Sequence, residues 1–227
     1  MNRSAYSLVL MDEVIQQIDE LAYAMHTSRS NLINQILAER VQMVTPEMRY
    51  QDVFRYLEQA MEQHKGFQWM VQPAQAMISM KSPLQYKYRP VIRYSVELYR
   101  EPGQAVGELR VSIRTQSQQL QTDLQDFAEL WAGLEQKHMP PEKRERVVYQ
   151  MEPGKLARTL VAETKQPQDH EQLAKNIENY LTMFDDILKR YFAKIEDPYT
   201  AQREAGARYE RYVQHGLPKI EQETRNA

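Results

Sequence analysis

Near its start the chain alternates apolar and polar residues over Tyr6-Ser7-Leu8-Val9-Leu10, which puts Tyr6, Leu8 and Leu10 on one face of a strand and Ala5, Ser7 and Val9 on the other. From Asp12 the period lengthens. Val14, Ile18, Leu21, Ala22 and Met25 recur at helical spacing, with Asp12 and Glu13 in the first turn where acids suit a helix start. The stripe breaks at His26-Thr27, and Thr27 or Ser28 can cap a second helix whose apolar face is Leu32, Ile33, Ile36, Leu37, Val41 and Val44. Pro46 predicts that this helix stops just before it. A lone strand ahead of two helices cannot pair its own backbone, so the pattern asks for a partner strand from a second copy of the chain.

Thr45-Pro46-Glu47 marks a boundary between residues 1–45 and residues 46–227. Glu47 to His64 reads as a helix carrying Val53, Phe54, Leu57 and Met61, either an arm between two domains or the first helix of the second. Strand texture follows from Phe67 to Met80, interrupted at Pro73, and then in a long run with Tyr86, Tyr88, Ile92, Tyr94, Val96 and Leu98 on one face. After turn signals at Pro102-Gly103 and Gly107, Leu109, Val111 and Ile113 mark a third strand, so an antiparallel meander with one apolar face is expected. Ser117 to Lys137 is an amphipathic helix stopped by Pro140-Pro141. A hairpin is expected where Val147 to Met151 and Leu156 to Ala162 flank Glu152-Pro153-Gly154-Lys155. After a polar connector around Gln166-Pro167-Gln168-Asp169, helices over about His170 to Lys194 and Thr200 to Gln214 close the pattern. The fold class is α+β.

The length leaves about 180 residues beyond the opening module, enough for a second core. Net charge is -2, so any nucleic-acid contact must come from a local surface. Residues 1–45 themselves hold three Lys or Arg against five Asp or Glu, with Asp12, Glu13, Asp19 and Glu20 all in the first helix. No cysteine is present, which excludes disulfides and thiolate chemistry and fits a cytoplasmic location. The short apolar run near the start meets Asp12-Glu13 at once, so neither a signal peptide nor a membrane partner is expected.

In the order and lengths of its elements, the stretch from about residue 3 to 44 resembles the ribbon-helix-helix family of DNA-binding proteins, the MetJ, Arc and CopG type. There two chains pair their strands into a ribbon that enters the major groove. The resemblance implies an intertwined homodimer on double-stranded DNA, with Ala5, Ser7 and Val9 facing the bases, Arg3 alongside them, and Tyr6, Leu8 and Leu10 in the dimer core. It places Ser28, Arg29, Ser30 and Asn31 at a helix N-terminus that grips a phosphate. The family favours long polar or basic residues on the outward face; here Ser7 offers a hydrogen bond, and Ala5 and Val9 offer apolar contact. What the resemblance implies overall is a dimeric, prokaryotic-type transcriptional regulator or repressor, with a C-terminal sensing or oligomerisation domain open to a small-molecule or protein effector.

Beyond that module, Lys87, Arg89, Arg93, Arg110 and Arg114 form a candidate basic face on the sheet, to be weighed against ordinary pairing with Glu97 and Glu108 or with Asp123 and Asp126 of a covering helix. His26, His64, His138, His170 and His215 lie far apart, without metal-ligand spacing, although nickel sensors built on this module make a metal sensor a reading to consider. No phosphate-binding glycine loop, nucleophile elbow or metalloprotease helix appears, and Glu152 and Asp185-Asp186 lack an evident catalytic partner. Neither cofactor, metal nor catalytic residue is therefore expected. Two other readings stay open: an antitoxin or conjugation accessory protein whose C-terminal domain binds a partner protein, and a dimeric ligand-binding protein or enzyme that uses the opening module only to pair subunits.

Overall fold

The alternating segments of the chain condense into one antiparallel sheet in a computed structural model that describes residues 5–25, 27–70, 76–87, 89–100, 105–161 and 169–216. Its strands are β1 (Gln68–Trp69), β2 (Met77–Pro83), β3 (Val91–Leu98), β4 (Ala105–Ile113), β5 (Tyr149–Glu152) and β6 (Lys155–Val161), in spatial order β1-β2-β3-β4-β6-β5. Every ladder is antiparallel, so the meander and the second hairpin join into one sheet along β4 and β6.

Register decides which face is apolar. Ile78, Val96 and Leu109 stand side by side across β2, β3 and β4, and Met80, Tyr94, Val111, Leu156 and Met151 form the next row. Four long helices supply the rest of this core: α3 (Pro46–Met61), α4 (Gln118–His138), α6 (His170–Ala193) and α7 (Pro198–Gln214). Trp131 of α4 sits at its centre, edge-on to Phe184 of α6 with centroids 4.6 Å apart and to Tyr209 of α7 at 5.4 Å. Tyr50, Val53, Phe54, Leu57 and Met61 of α3 are buried in the same cluster, so α3 is the first helix of this body and not a free arm. Thr45 caps it, its Oγ1 accepting from the Met48 amide at 3.2 Å, and Pro46 occupies the first turn.

Several elements differ from expectation, each for a local reason. β3 starts only at Val91, because Arg89 takes a left-handed φ of 44° and Pro90 follows it; Tyr86 therefore lies in the β2–β3 loop, its hydroxyl donating to Asp123 at 3.1 Å. Tyr88, Pro73, Pro102-Gly103, Ala162 and Gln166-Pro167-Gln168 lie outside the described residues. Gly107 is not a turn but a strand residue beside a β-bulge, and a Cβ there would meet the Glu97 carbonyl oxygen at 2.2 Å, so only glycine lets the two strands approach this closely. Pro140-Pro141 does end α4, yet Pro141 also opens a one-turn helix, α5 (Pro141–Arg144).

Candidate nucleic-acid interface

Residues before α3 build a second, smaller cluster. α1 (Asp12–Ala24) and α2 (Arg29–Arg40) pack through Ile18, Ala22 and Leu32, with Leu10, Val14 and Ile33 at the margin. The link between them is polar: Arg29 makes a two-pronged ion pair with Asp19, with Nε 2.6 Å from Oδ1 and a second bond from its terminal nitrogen to Oδ2. That hydrogen bonding holds the Asp19 carboxyl below its ordinary range.

The four residues expected at a phosphate are brought together at the start of α2. Ser28 is the N-cap, its Oγ accepting from the Asn31 amide at 3.3 Å. The guanidinium of Arg29 is turned back onto Asp19, so its contribution to an anion is its backbone N–H. Together with the N–H of Ser30, this is a donor pair with no acceptor inside the helix.

The expected ribbon residues behave differently from their surroundings. Ala5 to Leu10 take part in no strand among the described residues, and Arg3 lies outside them. Ala5, Ser7 and Val9 are exposed. On the opposite parity Leu10 is half-buried against the small cluster, whereas Leu8 is 60% exposed and Tyr6 88% exposed. α2 stops at Arg40, earlier than the position before Pro46, because Gln42 adopts a left-handed φ of 57° and the Met43 amide closes back onto the Ala38 carbonyl. Ile36, Leu37, Val41 and Val44, all from the expected apolar stripe, remain exposed. Of the sixteen large apolar side chains exposed among the described residues, twelve fall between Tyr6 and Val44. Scattered exposure is ordinary; here the exposure is concentrated in one segment of the chain.

The candidate basic face does not form as one stripe. Lys87 and Arg89 sit in the β2–β3 loop, off the sheet, and Arg114 follows the end of β4. Arg93 and Arg110 do stand exposed on the side away from the helices, but Arg110 is held by Glu97 at 2.7 Å and Glu108 at 2.6 Å. Asp123 faces the helix layer and is engaged by Tyr86 and Gln119.

Two histidines join the helices of the larger body. His64 bonds Glu178 at 2.5 Å and His170 approaches Asp52 at 3.4 Å, both pairings joining α3 or its C-terminal turn to α6. Among the described residues no group of three His, Asp or Glu is placed to hold a metal, and no helix is long and apolar enough to cross a membrane. Ser82 Oγ lies 2.7 Å from Lys189 Nζ, a spacing seen in nucleophile and base pairs, but Lys189 also donates to Asp185 at 2.6 Å and Ser82 is wholly buried, out of a substrate's reach. Sequence reasoning missed this network and the arginines of α7, because their partners come from distant segments. The chain matches no protein-family model, no curated protein and no solved structure.

Proposed function

We propose that the chain is a sequence-specific DNA-binding regulator that acts as a homodimer, the Ala5–Leu10 segments of two copies pairing as an antiparallel ribbon in the major groove. The observation that carries this reading is the run of exposed Tyr6, Leu8, Val9, Ile36, Leu37 and Val41 beside a segment with no strand partner among the described residues. A second copy satisfies both at once: it pairs the backbone of residues 5–10 and covers the apolar flank of α2. Ser7 and Val9 then meet base edges, and the amides of Arg29 and Ser30 meet a phosphate. Of the five acids in residues 1–45, Asp19 is neutralised by Arg29 beside the start of α2. The α+β body senses an effector or associates dimers along DNA.

Selection of bound sequences from random duplex DNA, followed by the salt dependence of binding to the winning sequence, tests the reading. A recurring site with two related half-sites is expected, with log K falling linearly as log salt rises. Recovery of no preferred sequence at low salt would overturn it.

A further inference from the structure

The second half of α6 and the outer side of α7 enclose a groove of about 320 Å³ lined by Arg190, Arg203, Glu204, Ala207, Arg208 and Arg211. Arg190 also lines a wider cleft of about 820 Å³ where Arg89 and Lys189 stand beside Tyr86 and Leu84. Six basic side chains thus line these two adjoining pockets in a protein whose net charge is -2, one of them, Lys189, already donating to Asp185 and Ser82. The carboxylates that line the pockets are Asp186 and Glu204.

Two of the arginines are preset. Arg190 donates to Asp186 Oδ1 at 3.0 Å and Arg208 to Oδ2 at 2.6 Å, while the Tyr212 hydroxyl donates to the same Oδ2 at 3.1 Å. Burial alone would raise the Asp186 carboxyl, but the bonds from Arg208 and Arg190 prevail and hold it below its ordinary range, so the clamp stays charged. Each guanidinium carries five N–H donors in a rigid fork, and those not spent on Asp186 are fixed in direction before any ligand arrives. Arg211 and Arg203 are exposed on the same helix, and Arg203 lies over the Tyr199 ring and near enough to Asp197 to lower its carboxyl. Eight residues apart on one helix, their backbones stand about 12 Å from each other along its axis, so the row is long enough to meet more than one phosphate. At the other end, Arg89 is held in a left-handed conformation rare for a side chain of its kind.

From this geometry we infer that the α6–α7 trough is a binding site for a ligand bearing several adjacent phosphate charges. Planar forks oriented by a shared carboxylate suit phosphate oxygens, and the length of the row asks for more than one of them. The site is separate from the ribbon and does not depend on it.

Calorimetric titration of the full chain with sodium triphosphate at fixed ionic strength, with sulfate as control, tests the assignment. Saturable binding of one triphosphate per chain is expected, weakened about tenfold or more by the double variant R203A/R211A. Both side chains are exposed, so an unchanged melting curve is the control for folding. Displacement of triphosphate by a short random-sequence duplex would assign the phosphate to a nucleic-acid backbone, and retention to a free phosphorylated ligand; either supports the site. No saturable binding, or equal binding by the folded double variant, overturns it. Because triphosphate binding is read without selected DNA, failure of the ribbon and failure of this site are distinguishable.

Discussion

Arg158 on β6 and Glu135 on α4 form an ion pair of 2.9 Å with both side chains almost wholly buried. Arg158 occupies the sheet row that Ile78, Val96 and Leu109 fill with apolar groups, and Tyr149 stands opposite it on β5. The carboxylate is saturated: Tyr149 donates to one oxygen alongside Arg158, and Tyr180 donates to the other at 2.9 Å while accepting from Trp131 at 3.0 Å. Removing one partner leaves a charge buried and unpaired. Arg158→Ala is therefore expected to cost about 3–5 kcal/mol, checked by urea denaturation, and Glu135→Leu alone a comparable amount. A loss below about 1 kcal/mol would show the pair to be ornamental.

Alkaline sensitivity follows from the same layer. Burial raises the hydroxyls of Tyr94, Tyr149 and Tyr180, and pushes Tyr191 up to about 12, with Asp126 and Asp123 adding to it. Folded values above the unfolded value of about 10 mean that this stability is complete below pH ~10 and is lost as pH rises through the folded values. The melting temperature should fall over roughly pH 10 to 12, with the last tyrosines ionising only as the protein unfolds. Tyrosinate absorbance recorded beside circular dichroism checks this; complete ionisation of a still-folded protein would refute it.

Gly107 offers a test of the sheet centre. Gly107→Ala places a methyl against the Glu97 backbone, which must shift, so a loss of about 1–3 kcal/mol or more is expected by thermal denaturation. Gly133, whose Cβ would meet no other group within 4 Å, is the matched control, and there alanine should stabilise α4 by up to about 1 kcal/mol.

How far the sequence could be read depended on how local the determining contacts were. Period alone located α4, α6 and the β5–β6 hairpin to within a few residues, because each buries a continuous stripe. It erred at Arg89, where a left-handed residue before Pro90 ends the strand-like run, and at Gly107, where close strand approach looks like a turn signal. The expected basic face failed for a related reason: Lys87 and Arg89 fall in the loop once the strand is shortened. The trough on α6 and α7 was illegible, since Arg190 joins Arg203, Arg208 and Arg211 only through the packing of the two helices. For the opening module, pattern defined the helices, whereas Ala5 to Leu10, patterned as a strand, pair with no strand among the described residues.

On the ribbon itself, opposite faces should respond differently. Ser7→Ala and Val9→Ala are expected to relax sequence preference while changing stability by no more than about 0.5 kcal/mol. Leu8→Asp should instead separate the subunits, because it buries a charge in the paired core. Sedimentation and binding to the selected site read both effects. Unchanged site preference in both outward variants would remove the ribbon as reader.

A cysteine scan across Ala5, Tyr6, Ser7, Leu8 and Val9 tests the paired strands most directly, in a chain that has no other cysteine. In an antiparallel ribbon only residues at the twofold axis face their own copies within disulfide reach, and each step away separates them by about 7 Å. Cross-linking of two copies under mild oxidation should therefore peak at one position and fall on both sides. Uniformly absent cross-links, with the unmodified chain sedimenting as a monomer at micromolar concentration, would contradict the account.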